Sequence, residues 1–128
     1  MKISQLDTPV LLVDEAAFLR NMQRMQDIAA SAGITYRPHA KAHKSAEIAK
    51  MQIDAGACGV CCAKLGEAEV LVSQEIKDIL ITTPVIGISK LTRLMQIANK
   101  AKISVVADNS DNVAEMAAVA QTCGVKPD

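Results

Sequence analysis

The chain has 128 residues, half of them hydrophobic, with a formal net charge of zero, one phenylalanine, one tyrosine and no tryptophan. Lysine and arginine are spread along the chain rather than clustered, which argues against nucleic acid or an acidic membrane surface as the main partner. No run approaches the roughly eighteen apolar residues of a membrane span, and the first residues lack the apolar core of a signal peptide. Four cysteines without a secretory signal therefore predict reduced thiols and a cytoplasmic protein.

The first part of the chain predicts one short strand and one long helix. The apolar run 10–13 has the composition of a buried strand. Asp14 is a suitable N-cap for a helix over 15–31, and Gly33 is a common residue after a helix end. Helical spacing predicts one apolar stripe that faces the core. Its members are Phe18, Met22, Met25 and Ala29.

From residue 34 onward, apolar runs alternate with amphipathic segments in four strand–helix units. The predicted strands are 34–41, 59–62, 78–82 and 103–107. The predicted helices are a segment capped by Ser45 and running to 54, then 65–74, 89–100 and 110–123. The side chains expected to face the sheet are Ile48, Met51, Ala68, Leu71, Val72, Leu91, Leu94, Met95, Ala98, Val113, Met116 and Ala120. This alternation indicates right-handed crossovers and a parallel sheet.

Two common folds contain such an alternation, the doubly wound sheet and the (β/α)8 barrel. No Gly-x-Gly-x-x-Gly follows the first strand and no Walker sequence occurs, so a nucleotide-binding doubly wound sheet lacks its usual fingerprint. A full barrel needs about 250 residues. We therefore interpret 1–128 as the N-terminal half of a TIM-type (β/α)8 barrel, with a leading strand and helix. Its open strand edges predict self-association.

The least usual feature of the chain is the string 37–44, which reads Arg-Pro-His-Ala-Lys-Ala-His-Lys. Because side chains alternate along a strand, Arg37, His39 and Lys41 are predicted to share one face. Buried parallel strands are normally apolar, so three basic residues on one face indicate a functional site. A lysine among apolar walls can lose its proton and attack a carbonyl group. The alternative is an ordinary surface lysine in a strand-to-helix loop.

Polar residues also follow the other predicted strands, at 62–64, 82–83 and 108–109. In parallel α/β proteins, sites form at this carboxyl edge of the sheet. Since strand ends are polar in most proteins, an ordinary solvent-facing role for these three positions stays open.

Two further patterns bear on metal binding. His39 and His43 have His-x-x-x-His spacing, but the strand pattern argues against one helical face and no third ligand is evident, so we interpret both as structural. Cys58-x-x-Cys61-Cys62 resembles half of a zinc knuckle without a second cysteine pair. These cysteines are interpreted as buried, reduced, small hydrophobic residues. No metal ligand is predicted within the chain.

Several strings together resemble the N-terminal region of the D-threonine aldolases, which belong to the alanine-racemase-like, fold type III, pyridoxal phosphate enzymes. The resemblance covers nearly the whole chain. The string 37–44 is fairly specific to the branch that contains these aldolases and the D-serine dehydratases. The other matching strings are 7–9, 59–64, 67–69, 101–105 and 108–109.

The resemblance implies a pyridoxal 5'-phosphate barrel and a β-rich second domain that lies outside 1–128. It implies that Lys41, rather than Lys44, is the catalytic, cofactor-binding Schiff-base lysine. Because His39 is predicted to share a strand face with Lys41, we expect His39 to line the pocket beside it. The implied lyase reaction is retro-aldol cleavage of a D-3-hydroxy amino acid to glycine and an aldehyde, with the cofactor as electron sink.

The resemblance also implies a divalent metal, Mn²⁺ or Mg²⁺, whose ligands lie downstream of this chain. Residues 1–128 alone are therefore expected to be inactive. Two alternatives stay open. One is a pyridoxal phosphate dehydratase acting on D-serine or 3-hydroxyaspartate, since the bond that breaks depends on groups outside this sequence. The other is a truncated fragment without catalytic function.

Overall fold

The computed structural model describes residues 2–125, and its centre is a parallel sheet of three strands. The strands β1 (Val60–Cys62), β2 (Asp78–Ile81) and β3 (Lys102–Val105) are neighbours in chain order. The register pairs Val60 with Ile79 and Ile79 with Ile103. The described residues also form five helices: α1 (Glu15–Ala32), α2 (Ala46–Asp54), α3 (Leu65–Ser73), α4 (Ile88–Ala98) and α5 (Ser110–Cys123). Residues 1 and 126–128 of the predicted half barrel, 1–128, lie outside the described residues.

Local capping explains where the helices begin and end. The Asp14 carboxylate accepts a hydrogen bond from the Ala17 amide at 2.8 Å, and Gly33 ends α1 in the left-handed conformation, with φ at 64°. The Ser45 hydroxyl accepts from the Ile48 amide at 3.2 Å and starts α2. All five predicted helices are confirmed, with ends that differ by at most two residues. Within the described residues, no helix has the length and apolar character needed to cross a membrane.

The hydrophobic core lies on one face of the sheet only. Val60, Cys62, Ile79 and Ile81 alternate toward the helices and are fully buried, together with Leu91 of α4. Burial of each such aliphatic side chain contributes about 1.5–3 kcal/mol. The intervening residues lie on the opposite face, where Cys61 is buried but Asp78 and Leu80 are partly exposed. The packed face therefore holds the sheet together, while the open face is available for polar side chains.

The predicted strand 34–41 is wrong in its length, although its direction is right. Only residues 36–39 run beside β1, where Cys58 N donates to Tyr36 O at 3.1 Å and Cys61 N donates to Pro38 O at 2.8 Å. A single parallel bridge joins this segment to the sheet. Pro38 has no amide proton to continue a ladder, and the chain turns immediately afterwards. We call residues 36–39 the edge segment.

The predicted strand at 10–13 is also wrong. Within the described residues these positions join no ladder, and Leu11 is 98% exposed. A strand needs a backbone partner, and an apolar run cannot supply one by itself. Helix α1 is consequently only partly covered: Ala29 is buried, but Met25 of the predicted stripe is exposed.

Two predicted inward positions are shifted by local packing. Met51 of α2 is exposed, and Ala49 occupies the buried position instead. Val113 of α5 is 48% exposed, because the preceding Asn112 is turned inward and donates from Nδ2 to Val85 O at 2.9 Å. A buried hydrogen bond thus sets the rotation of α5, which apolar spacing could not indicate.

An ion pair on the open face ties the edge segment to β2. The Arg37 guanidinium binds Asp78 with two hydrogen bonds, Nη1 to Oδ1 at 2.7 Å and Nη2 to Oδ2 at 3.1 Å. The pair crosses β1 at Gly59, whose missing side chain leaves room for the guanidinium. Bidentate geometry makes such pairs strong and directional. The hydrogen bond to Asp78 raises the pKa of Arg37 further, so this cation is permanent.

We expect Gly59→Ala to lower the free energy of unfolding by about 1–3 kcal/mol or more. Gly59 has a φ of 146°, and an added Cβ would lie 2.5 Å from Asp78 O and against the Arg37 guanidinium. Urea denaturation of the purified protein measures the effect. The matched control is Gly66→Ala in α3, where the nearest atom is 3.9 Å away and helix propensity predicts a gain of up to about 1 kcal/mol. Equal stability of the two variants would contradict the crossing at Gly59.

Candidate active site

The carboxyl ends of the edge segment, β1 and β2 meet at one edge of the sheet. Parallel pairing places His39 beside Cys61, and Cys62 beside Ile81, so that Thr82 follows directly. Three polar groups converge here from separate parts of the chain: an imidazole, a peptide carbonyl and a hydroxyl. The prediction that sites gather at this edge is consistent with the arrangement.

A chain of hydrogen bonds connects these groups. Thr82 Oγ1 donates to Cys62 O at 3.1 Å. His39 Nε2 lies 3.1 Å from the same Thr82 oxygen. On the other side of the ring, the Lys41 backbone N–H donates to His39 Nδ1 at 3.3 Å. The imidazole therefore links Thr82, the residue after β2, to the backbone of Lys41. We call this set of contacts the His39 network.

Lys41 lies in a 3-10 turn over Ala40–Ala42 that starts immediately after the edge segment. Strand alternation ends at this turn, so the prediction that Lys41 shares the face of Arg37 and His39 for reasons of strand geometry is wrong. The expectation of a buried lysine is also wrong, because Ala40 is the buried residue of the turn and Lys41 is exposed. The turn nevertheless keeps Lys41 next to His39, since its backbone N–H reaches His39 Nδ1 and its charge acts on the ring.

The electrostatic environment keeps His39 neutral. Its pKa is lowered from the ordinary value, first by burial and then by the positive charge of Lys41, while the Glu67 carboxylate acts in the opposite direction. A lowered pKa favours the uncharged form of the ring at pH 7. Its lone pair is thus available to the Lys41 amide.

Glu67 lies in the first turn of α3, and its charge acts on the His39 ring. Its Oε2 accepts from the Ala63 amide at 2.8 Å and from the Lys64 amide at 3.2 Å, which caps the first turn of the helix. Burial raises the pKa of Glu67, but these two donors and the charges of Lys44 and Lys64 prevail and lower it. Glu67 therefore stays a carboxylate and contributes one negative charge near two lysines.

Sequence reasoning named residues 82–83 only as a polar strand end and did not assign Thr82 a function. The signal that could have found it is a hydroxyl residue directly after a buried apolar strand. Its partner His39 lies 43 residues earlier, so no local pattern connects the two.

His43 has a local role. Its Nδ1 accepts from the Ser45 amide at 3.1 Å, next to the start of α2. His39 and His43 each use Nδ1 to accept a backbone amide proton, which agrees with the structural interpretation of both rings. Among residues 2–125 no three His, Cys, Asp or Glu side chains are grouped as metal ligands would be.

The cysteines divide into two kinds. Cys61 and Cys62 are buried, as predicted, whereas Cys58 and Cys123 are exposed, so the prediction of burial is wrong for Cys58. Cys58 lies at the amino end of β1, outside the packed strand, where its Sγ donates to Tyr36 O at 3.3 Å. Burial raises the pKa of the Cys62 thiol to about 12.

Comparison with known proteins decides the family. The family model described as "Alanine racemase, N-terminal domain" matches residues 13–127. The chain belongs to this family. The predicted fold class, part of an α/β barrel of the alanine racemase type, is thereby confirmed, and the chain spans about a third of the length of the curated relatives it matches.

Similar proteins in the family carry related names. The chain is 42% identical to the D-threonine aldolase of Arthrobacter sp. over 126 residues, which is 98% of this chain and 33% of that protein. The crystal structure of D-threonine aldolase from Filomicrobium marinum superposes with a TM-score of 0.95 at 40% identity, covering 98% of this chain and 34% of that one. The D-threo-3-hydroxyaspartate dehydratase of Delftia sp. HT23 gives 0.87 at 29% identity, covering 96% and 32%.

We expect alkylation at pH 8 to separate the two kinds of cysteine. Only the thiolate reacts, so the buried Cys62 with its raised pKa should stay unmodified in the native protein, while Cys58 and Cys123 react within minutes. Iodoacetamide labelling followed by peptide mass spectrometry measures this, with urea-unfolded protein as the control in which all four react. Native labelling of Cys62 at the rate of Cys58 would contradict the packing of β1.

Proposed function

We propose that this chain is the N-terminal part of a pyridoxal phosphate-dependent lyase that cleaves D-3-hydroxy amino acids of the D-threonine type to glycine and an aldehyde. One observation carries the proposal. An exposed lysine lies in the turn that follows the carboxyl end of the edge segment, and His39 Nδ1 accepts its backbone N–H. The similarity to the D-threonine aldolases supports the choice of reaction.

The residues at this edge fit the cofactor by their chemistry. Attachment of pyridoxal phosphate requires a primary amine that reaches solvent, and Lys41 is exposed. When bound, the cofactor supplies an electron sink for the carbanion left by bond cleavage. The imidazole of His39 is neutral, so it adds no second cation beside the amine. An exposed amine next to a neutral ring is compatible with a covalent carbonyl ligand.

The roles of the two residues follow from these contacts. Lys41 would hold the cofactor covalently through Nζ. The free amine can accept or donate a proton at Nζ. His39 would line the pocket and hold the turn through the Lys41 amide. Neither residue selects the bond that breaks.

The same proposal includes partners that lie outside the described residues. The 3-hydroxyl of the substrate would be positioned and deprotonated with a divalent metal, Mn²⁺ or Mg²⁺, bound by a second, β-rich domain. The open face and the free edge of β3 would be covered by the rest of the barrel or by self-association. The location would be cytoplasmic, in keeping with four reduced cysteines.

A second candidate is elimination of water from D-serine or 3-hydroxyaspartate. The similarity to the Delftia dehydratase favours it, since that structure superposes over nearly the whole chain. The aldolase is preferred because the identity and the TM-score are both higher. A fragment without catalysis is the third reading, and it predicts no cofactor attachment.

The first experiment tests attachment at Lys41. The full-length protein is incubated with pyridoxal phosphate and reduced with borohydride, and its peptides are mapped by mass spectrometry. We expect the cofactor mass on Lys41, and loss of both this adduct and the visible absorbance band in Lys41→Ala. Lys44→Ala is the matched control, since Lys44 is also an exposed lysine three residues away and should leave the adduct intact. Attachment to another lysine would contradict the assignment.

The second experiment distinguishes the two reactions. Full-length enzyme with Mn²⁺ is supplied with D-threonine, and glycine and acetaldehyde are measured. In parallel it is supplied with D-serine, and ammonia and pyruvate are measured. We expect kcat/KM for cleavage of D-threonine to exceed that for elimination from D-serine by at least about 100-fold, or roughly 2.7 kcal/mol of transition-state preference. The opposite order would identify a dehydratase.

A further inference from the structure

We propose that Thr82 is a positioning residue for this reaction: its hydroxyl holds the His39 ring in the Nε2–H tautomer, so that Nδ1 can bind the backbone of the turn that carries Lys41. This inference rests on the proposed function, because it assigns Thr82 its importance through Lys41. The Thr82 hydroxyl contacts His39 Nε2 and Cys62 O, so its effect on Lys41 passes through the His39 ring.

The single proton of the Thr82 hydroxyl determines which tautomer His39 adopts. A threonine hydroxyl has one proton to donate and lone pairs that accept. Its proton is used toward Cys62 O at 3.1 Å. Toward His39 Nε2, also at 3.1 Å, the oxygen can then act only as an acceptor. The ring must therefore carry its proton on Nε2.

The other ring nitrogen, Nδ1, accepts the Lys41 backbone N–H. A neutral imidazole with its proton on Nε2 has a lone pair on Nδ1. The Lys41 backbone N–H points at this lone pair from 3.3 Å. The opposite tautomer would set a ring N–H against an amide N–H and would withdraw the Thr82 proton from Cys62 O. Only one tautomer satisfies all three contacts, so the Thr82 hydroxyl, directly after β2, determines whether the turn is held.

The charges around the His39 ring influence whether it stays neutral. The charged groups that act on the His39 ring are the Lys41 amine and the Glu67 carboxylate. Arg37 lies on the same strand face, but its guanidinium is bound to Asp78. The pKa of His39 is lowered by burial and by Lys41, so the neutral ring persists above that lowered pKa. As the pH falls through it, Nδ1 gains a proton and can no longer accept the Lys41 amide.

Thr82→Val and Thr82→Ser form the matched pair of variants. Valine keeps the shape of threonine and removes the hydroxyl, whereas serine keeps the hydroxyl. Both are made in the full-length holoenzyme with ¹⁵N-labelled histidine. The ¹⁵N chemical shifts report the tautomer of His39, whose signal is assigned by its loss in His39→Gln. Steady-state kinetics with D-threonine supply kcat and KM separately.

We expect the wild type and Thr82→Ser to show the Nε2–H tautomer, and Thr82→Val to lose it or to populate both forms. The kcat of Thr82→Val should fall about 10–100-fold, the range found when a residue that orients a metal-binding histidine is removed. Its KM should change by less than about 2-fold, because Thr82 does not contact substrate. Thr82→Ser should retain kcat within about 3-fold. If Thr82 only stabilised the fold, its loss would not change kcat while leaving KM unchanged, and serine would not restore kcat.

Three results would overturn the inference. The first is a wild-type His39 with its proton on Nδ1, which is decisive even if Thr82→Val does not fold. The second is an unchanged tautomer and kcat in Thr82→Val. The third is the expected tautomer in a protein whose Lys41 takes no cofactor in the borohydride experiment. That last result would reject the proposed function as well, whereas the first two would leave it standing.

Discussion

The attachment of the edge segment, residues 36–39, to β1 is the contact on which the rest of the site depends. Two backbone hydrogen bonds and one bidentate ion pair hold the segment, with Cys61 N on Pro38 O and Arg37 across Gly59 to Asp78. Parallel pairing then brings the carboxyl ends of three strands to one edge. A one-residue slip would reverse every side chain of the segment and remove His39 from the site.

One face of the sheet supplies the apolar core, and the other carries the polar groups. Val60, Ile79 and Ile81 are buried against the helices and supply the apolar core. The opposite face carries the Arg37–Asp78 pair, which is partly exposed at 23% and 28%. The His39 network lies at the carboxyl end of the same sheet. Polar groups at partly solvated positions cost less desolvation than in a core, so the chain can place charges there without losing its packed face.

Much of the fold could be predicted from local patterns. Caps such as Asp14 and Ser45 and helical apolar spacing located all five helices, because these signals lie within a few residues of each other. The strands at 59–62, 78–82 and 103–107 were found from short apolar runs. The failures at 10–13 and 34–41 share one reason: a strand exists only where another backbone accepts its hydrogen bonds, and composition does not name that partner.

The sequence by itself determined the five helices, the three paired strands, the family resemblance, and the choice of His39 and Lys41 as residues to consider. Only the tertiary structure decided that Lys41 lies exposed in a turn and that Thr82 reaches His39. It also decided that Gly59 must lack a side chain under the Arg37 guanidinium. The physical reason is separation: these contacts join residues tens of positions apart, and their geometry follows from parallel register rather than from any neighbouring residue.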